Sequence, residues 1–291
     1  MKTANTALQV LAASLLMVGC RTAVDTELAG FNPRGKWDNE RPYGAYTVRT
    51  YLRETDLMGS VVILYHGRII YAEHGGRYFL EYSNTGLYGP IRLSPPAWTD
   101  ITGNGRPDIV TFEEMGGGHG PSECTVVEVH RGRCTVLAKI EAPGGAVFED
   151  LDGDGTAEVK MGDYTFDYWP SCHAGAPVPM VVLRWSGKDY RVAADLMLRP
   201  APPRDQLSSL AASVRRRPEW GQEYDRVAIP PRLFSIALDL MYTGHEALGW
   251  QFIQEAWPPR FPMDTELLDQ LRDLLNQSPY WTEFARQTAK H

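Results

Sequence analysis

The chain has 291 residues, of which 43% are hydrophobic and 22% charged, enough apolar material for one large soluble domain or a medium one with a small partner. Its formal net charge is −7, and no basic cluster exceeds Arg215-Arg216-Arg217. A nucleic-acid binder needs a basic face to meet phosphates, so that class is set aside.

Residues 1–19 read as a signal segment outside the fold: Lys2, an apolar run from Ala7 to Val18, then Gly19-Cys20. The run is too short for a membrane span, which takes about 20 apolar residues. Its end, Leu16-Met17-Val18-Gly19-Cys20, resembles the lipobox of bacterial lipoproteins, with Met17 where Leu is more usual. The resemblance implies that Cys20 becomes the first mature residue and carries a lipid, anchoring the chain to a membrane. Arg21 follows, whereas an Asp there would resemble the inner-membrane retention signal, so the expected address is the outer membrane, facing the periplasm. Residues 20–36 form a polar tether without periodicity.

From 37 to 197 the sequence is a series of short strands, among them "AYTVRTYL", "SVVILYHGRIIYAEH", "RPDIVTFEE", "CTVVEVH", "CTVLAKI" and "PMVVLRWSG". They are rich in Val, Ile, Tyr and Thr and bounded by Gly, Pro or Asn. "CTVVEVHRGRCTVLAKI" reads as a hairpin turning at Arg131-Gly132, which pairs Cys134 with Val129 and leaves Cys124 too far along the strand to reach Cys134. In an oxidising compartment, Cys124, Cys134 and Cys172 then suggest one disulfide, Cys124 with Cys172, plus a spare thiol; three buried thiols are the alternative.

The region also repeats. "DITGNGRPDIV" at 100–110 precedes "DLDGDGTAEVK" at 150–160 by 50 residues. Asp100 matches Asp150, Asn104 matches Asp154, Gly105 matches Gly155 and Asp108 matches Glu158. "VVEVHRGR" and "VVLRWSGK" follow the two loops, and "VVILYHGR" at 61–68 is an earlier copy without acids ahead of it. Units of this length point to repeated β-sheet modules, as in propeller blades. A complete propeller needs at least four blades, so the expected fold is mainly β, a partial propeller or sandwich-like array, with a C-terminal α-helical segment.

The second loop puts Asp150, Asp152, Asp154 and Glu158 within nine residues. Alternate carboxylates around a glycine suit a hard cation such as Ca²⁺, which takes six to eight oxygens. Met161 stands where a helix–loop–helix site needs its bidentate Glu, so that version fails. The spacing resembles the calcium loops of the FG-GAP/VCBS repeat family, over about residues 100–195. That resemblance implies Ca²⁺ ligands at Asp150, Asp152, Asp154 and Glu158, with the Thr156 carbonyl. In the first copy it implies Asp100, Thr102, Asn104 and Asp108, with the Arg106 carbonyl, a weaker site because it has fewer charges. It also implies a structural rather than a catalytic ion.

Two further loops carry chemistry-bearing residues: Glu113, Glu114 and His119 in "EEMGGGHG", and Asp167, Cys172 and His173 in "FDYWPSCHAG". Their spacings match no zinc motif, and a sequence-adjacent Cys and His are not a dyad in space. Glycine flexibility and a disulfide account for them. The Pro-rich linker 198–207 ends the strands, and 208–291 turns helical, with a stop at Thr243-Gly244 and a cap at Asp264. The resulting expectation is a lipid-anchored, calcium-stabilised envelope binding or scaffold protein with an envelope protein or glycan as partner. The alternative is a hydrolase of peptidoglycan or polysaccharide with its site near His119 and His173.

Overall fold

The computed structural model describes residues 28–80, 83–84, 91–92, 96–116, 123–223 and 226–289. Cys20, the tether as far as residue 27 and His119 lie outside them. Three four-stranded antiparallel sheets form most of the β region. The first runs β1 (Lys36–Tyr43), β2 (Tyr46–Arg53), β3 (Met58–Tyr65) and β4 (Arg68–Gly75) in chain order. Next come β5 (Arg77–Phe79), the short mutually paired β6 (Ser83–Asn84) and β7 (Ile91–Arg92), then β8 (Asp108–Glu114), β9 (Glu123–His130) and β10 (Arg133–Glu141). The second sheet has the order β10-β9-β8-β5. The third is the meander β11 (Ala146–Glu149), β12 (Glu158–Gly162), β13 (Met180–Trp185) and β14 (Tyr190–Val192).

The sequence repeat is therefore a repeat of sheets. In the second and third sheets, the acidic loop leads into the strand lying next to one edge of the sheet, β8 or β12. The β9–β10 hairpin turns at Arg131-Gly132 with both residues left-handed, φ 49° and 73°, and pairs Cys134 with Val129 as the sequence predicts.

Side-chain alternation stacks the sheets. One face of the second sheet, Tyr78, Ile109, Val127 and Val129, packs on Val48, Val61 and Ile63 of the first. Its other face, Val110, Phe112, Cys124 and Val126, joins Phe148, Val159, Met161, Val181 and Leu183 of the third. The middle sheet is thus buried on both sides, so β8 and the body of β9 are buried without a break rather than on alternate residues, the polar Thr111, Thr125 and Glu128 included. Burying each large apolar side chain here stabilises the fold by about 1.5–3 kcal/mol.

The second core cluster continues into the C-terminal helices. These are α1 (Ala194–Met197), α2 (Arg204–Arg215), α3 (Arg232–Tyr242), α4 (Glu246–Ala256), α5 (Thr265–Gln277) and α6 (Pro279–Thr288), with a small hairpin of β15 (Gly221–Glu223) and β16 (Arg226–Ala228) between α2 and α3. The first helical turn, α1, falls inside the expected β region, and α2 starts at Arg204, inside the expected linker, because prolines are tolerated just ahead of a first helical turn. Asp264 caps α5 by accepting from the Leu267 N–H at 3.0 Å, as its position predicts. Among the described residues, no helix is long and apolar enough to cross a membrane.

Gly249, in α4, lies against α3. Gly→Ala inside a helix ordinarily stabilises by about 1 kcal/mol. Here a Cβ would stand 2.7 Å from the Ala237 carbonyl oxygen and 2.6 Å from Met241 Cγ, so packing reverses the sign. Gly249→Ala is expected to destabilise by about 2 kcal/mol in chemical denaturation, and a gain in stability would refute the tight α3–α4 approach.

Candidate metal centre

The second acidic loop is wound around Asp150. Its Oδ1 accepts from the N–H groups of Gly153 (2.7 Å) and Asp154 (3.1 Å), and its Oδ2 from Gly155 (3.0 Å). Gly153 and Gly155 have φ of 80° and 88°, the left-handed region that glycine enters without strain. Asp152 Oδ1 accepts from the Asp154 N–H at 3.2 Å, and Asp154 Oδ1 from the Thr156 N–H at 2.7 Å. Glu158 opens β12, is fully buried, and takes the Leu151 N–H on Oε2 at 2.9 Å.

This winding gathers carboxylate oxygens of Asp150, Asp152 and Glu158 within 4.8 Å of one another. It is the one such gathering of three or more acidic, His or Cys ligands among the described residues. Asp154, whose Oδ1 accepts the Thr156 N–H, is not part of it. The donor set is all hard oxygen, which fits Ca²⁺ and gives nothing to soft metals.

A fourth residue completes the centre. Arg184 of β13 donates from Nη2 to Asp152 Oδ2 at 2.7 Å and from Nε to Glu158 Oε1 at 3.3 Å. It also donates to both oxygens of Asp195 in α1, at 3.1 and 3.0 Å. Its guanidinium is held above its usual pKa, first by the Asp195 bond and then by Asp152 and Glu158. The loop's negative charge is thus partly balanced from within the chain. The sequence carries only a faint sign of this, the placement of a base on the strand that faces Glu158.

The first loop is wound in the same way and closed differently. Asp100 accepts from the Asn104 N–H at 3.2 Å and the Gly105 N–H at 2.7 Å. Asp108 Oδ2 accepts from the N–H groups of Ile101 and Thr102 and from the Thr102 hydroxyl, at 3.1–3.3 Å. Its other oxygen is buried without a partner, and burial pushes its pKa up to about 6. Asn104 Nδ2 and Arg106 Nη1 both donate to Glu128 of β9, at 2.6 and 2.8 Å. Asp100, Thr102, Asn104, Arg106 and Asp108 therefore surround a loop with a base already in place. The two loops touch through the Ala157 N–H and the Ile101 carbonyl, 2.8 Å apart.

The expected Cys124–Cys172 disulfide is not formed. Cys124 is sealed in the core beside Phe112 and Val126, while Cys172 is exposed on the loop before β13, and all three described cysteines are free. Burial pushes the Cys134 thiol up to about 12. On the Cys172 loop, His173 Nδ1 and Asp167 Oδ1 are 2.8 Å apart, with Tyr164 stacked on the imidazole at 6.3 Å. Glu113 accepts the Gly76 N–H at 2.8 Å and lines an open cavity of about 390 Å³ with Met115, Glu123, Glu141 and Pro143. The structure brings Asp167 and His173 together, and the loop bearing His119 lies outside the described residues. No family model, curated protein or solved structure matches this chain, so its chemistry is read from these residues themselves.

Proposed function

We propose that this chain is a binding or scaffold module of the cell envelope, anchored by a lipid on Cys20 at the outer membrane and stabilised by one Ca²⁺ at the second acidic loop. One observation carries the calcium assignment: Asp150, Asp152 and Glu158 converge on a common point from a glycine-hinged loop. Such an ion ties the β11–β12 loop to the start of β12 through Glu158 and lends structural stability; no nucleophile or acid–base pair adjoins it in this reading. The partner expected for such a module is another envelope protein or a glycan.

Thermal unfolding tests the ion directly. Saturating Ca²⁺ is expected to raise Tm over the chelated protein by about 5–10 °C, and Asp152→Asn to remove most of that rise. Equal Tm values with Ca²⁺ and with chelator would sink the assignment. The lipid anchor is supported by the lipobox resemblance. It predicts that membrane-fraction recovery in a Gram-negative host falls to background in Cys20→Ala, whereas unchanged recovery would count against it.

A second reading is favoured by the Asp167–His173 pair, since a carboxylate that orients an imidazole is a common element of hydrolytic sites. In that reading the protein cleaves peptidoglycan or polysaccharide. Turnover of either polymer that disappears in His173→Ala would establish it, and absence of turnover by the wild-type protein would remove it.

A further inference from the structure

Each acidic loop is closed by a side chain from the strand that faces it, and the two closures have opposite sign. In the second sheet the facing residue is Glu128, in register with Asp108, and the base comes from the loop as Arg106. In the third sheet the register Val159 to Leu183 sets Arg184 opposite Glu158, and here the loop supplies the acids while the strand supplies the base. Equivalent positions in two copies of one unit thus hold Glu and Arg.

We propose that Arg184 is a built-in competitor for the cation of the second loop, an inference that rests on the calcium reading above. The guanidinium engages two of the three carboxylates that an ion there requires, Asp152 and Glu158. A divalent ion and the guanidinium want the same oxygens, and two cations so close repel strongly in a partly buried site. Arg184 has an alternative partner already in hand: both Asp195 oxygens lie within 3.1 Å of its nitrogens. Entry of the ion therefore moves Arg184 off the loop and leaves it on Asp195. Without calcium the loop stays shut on the guanidinium. The exchange sets a calcium threshold and couples the loop to α1, where Asp195 sits.

The two charges predict opposite effects on calcium affinity. Calorimetric titration of the full mature chain with CaCl₂ is expected to show about tenfold tighter binding in Arg184→Gln than in wild type. Asp195→Asn is expected to bind about threefold more weakly, because the displaced guanidinium has lost its refuge. The double variant should match Arg184→Gln alone, since Asp195 acts only through Arg184. Arg184→Lys, whose ammonium cannot span three carboxylates, keeps the test alive if the glutamine variant does not fold; it should bind about threefold more tightly than wild type.

Wild-type affinity, or weaker, in a cooperatively folding Arg184→Gln or Arg184→Lys protein overturns the competitor while leaving the calcium site standing. A weakening by Asp195→Asn that persists in the double variant overturns it too, because it assigns the effect to the general field of Asp195. If neither wild type nor Arg184→Gln binds at about 10 mM Ca²⁺, beyond even weak extracellular sites, the calcium reading itself falls and the competitor falls with it.

Discussion

Asp163→Ala is expected to cost about 4 kcal/mol, the largest loss of any single polar substitution considered for this fold. Asp163 directly follows β12 and is 1% exposed. Its Oδ2 accepts from the Tyr242 hydroxyl at 2.6 Å and the Ser278 hydroxyl at 2.5 Å. Its Oδ1 accepts from the Thr165 N–H at 2.9 Å and the Thr165 hydroxyl at 2.6 Å. Tyr242 ends α3, and Ser278 joins α5 to α6 while accepting the Trp281 N–H at 2.9 Å. One carboxylate thus pins the third sheet to three helices. Alanine leaves two buried hydroxyls without their acceptor, each costing about 1–3 kcal/mol. Tyr242→Phe removes one donor and leaves the acceptor otherwise served, so it should cost about 1.5 kcal/mol. Urea unfolding separates the two, and an Asp163→Ala loss under about 1 kcal/mol would show that the carboxylate is not the joint between sheet and helices.

Glu158→Ala should be nearly as damaging, with a loss of about 3 kcal/mol without metal and more with it. Two groups lose their acceptor: the Leu151 N–H inside the loop and Nε of Arg184. The dependence on metal separates this substitution from an ordinary core defect. Added Ca²⁺ stabilises wild type through mass action and can do little for a loop stripped of its buried carboxylate, so the gap between the two should widen as calcium rises. Thermal melts across a calcium series measure that gap. A constant gap would mean that Glu158 acts only as a hydrogen-bond acceptor.

Local features were well marked along the chain, and long-range ones were not. Alternate acids with glycines determine the winding of both loops, because the bonds from loop N–H groups to Asp100, Asp108, Asp150, Asp152, Asp154 and Glu158 span only a few residues. Asp264 and the Thr243-Gly244 stop are equally local. The middle sheet is harder to read because burial on both faces erases the alternation that marks a strand's inner side. Arg184 and the Asp163–Tyr242–Ser278 joint depend on register and on docking of helices far along the chain, so no spacing rule announces them. The disulfide expectation failed for a related reason. Eliminating Cys134 as a partner left Cys172, but hairpin register says nothing of depth, and Cys124 lies in the core while Cys172 does not. Asp154, expected as a ligand from its place in the pattern, accepts the Thr156 N–H on Oδ1 and lies outside the gathering of Asp150, Asp152 and Glu158.

The count of calcium ions per chain tests the account most directly. Calorimetric titration of the chelator-stripped mature protein should give one site, abolished by Glu158→Ala and retained in Asp108→Asn, because the second loop gathers three carboxylates and, among the described residues, the first does not. No binding at millimolar calcium, or one site that survives Glu158→Ala, would contradict it.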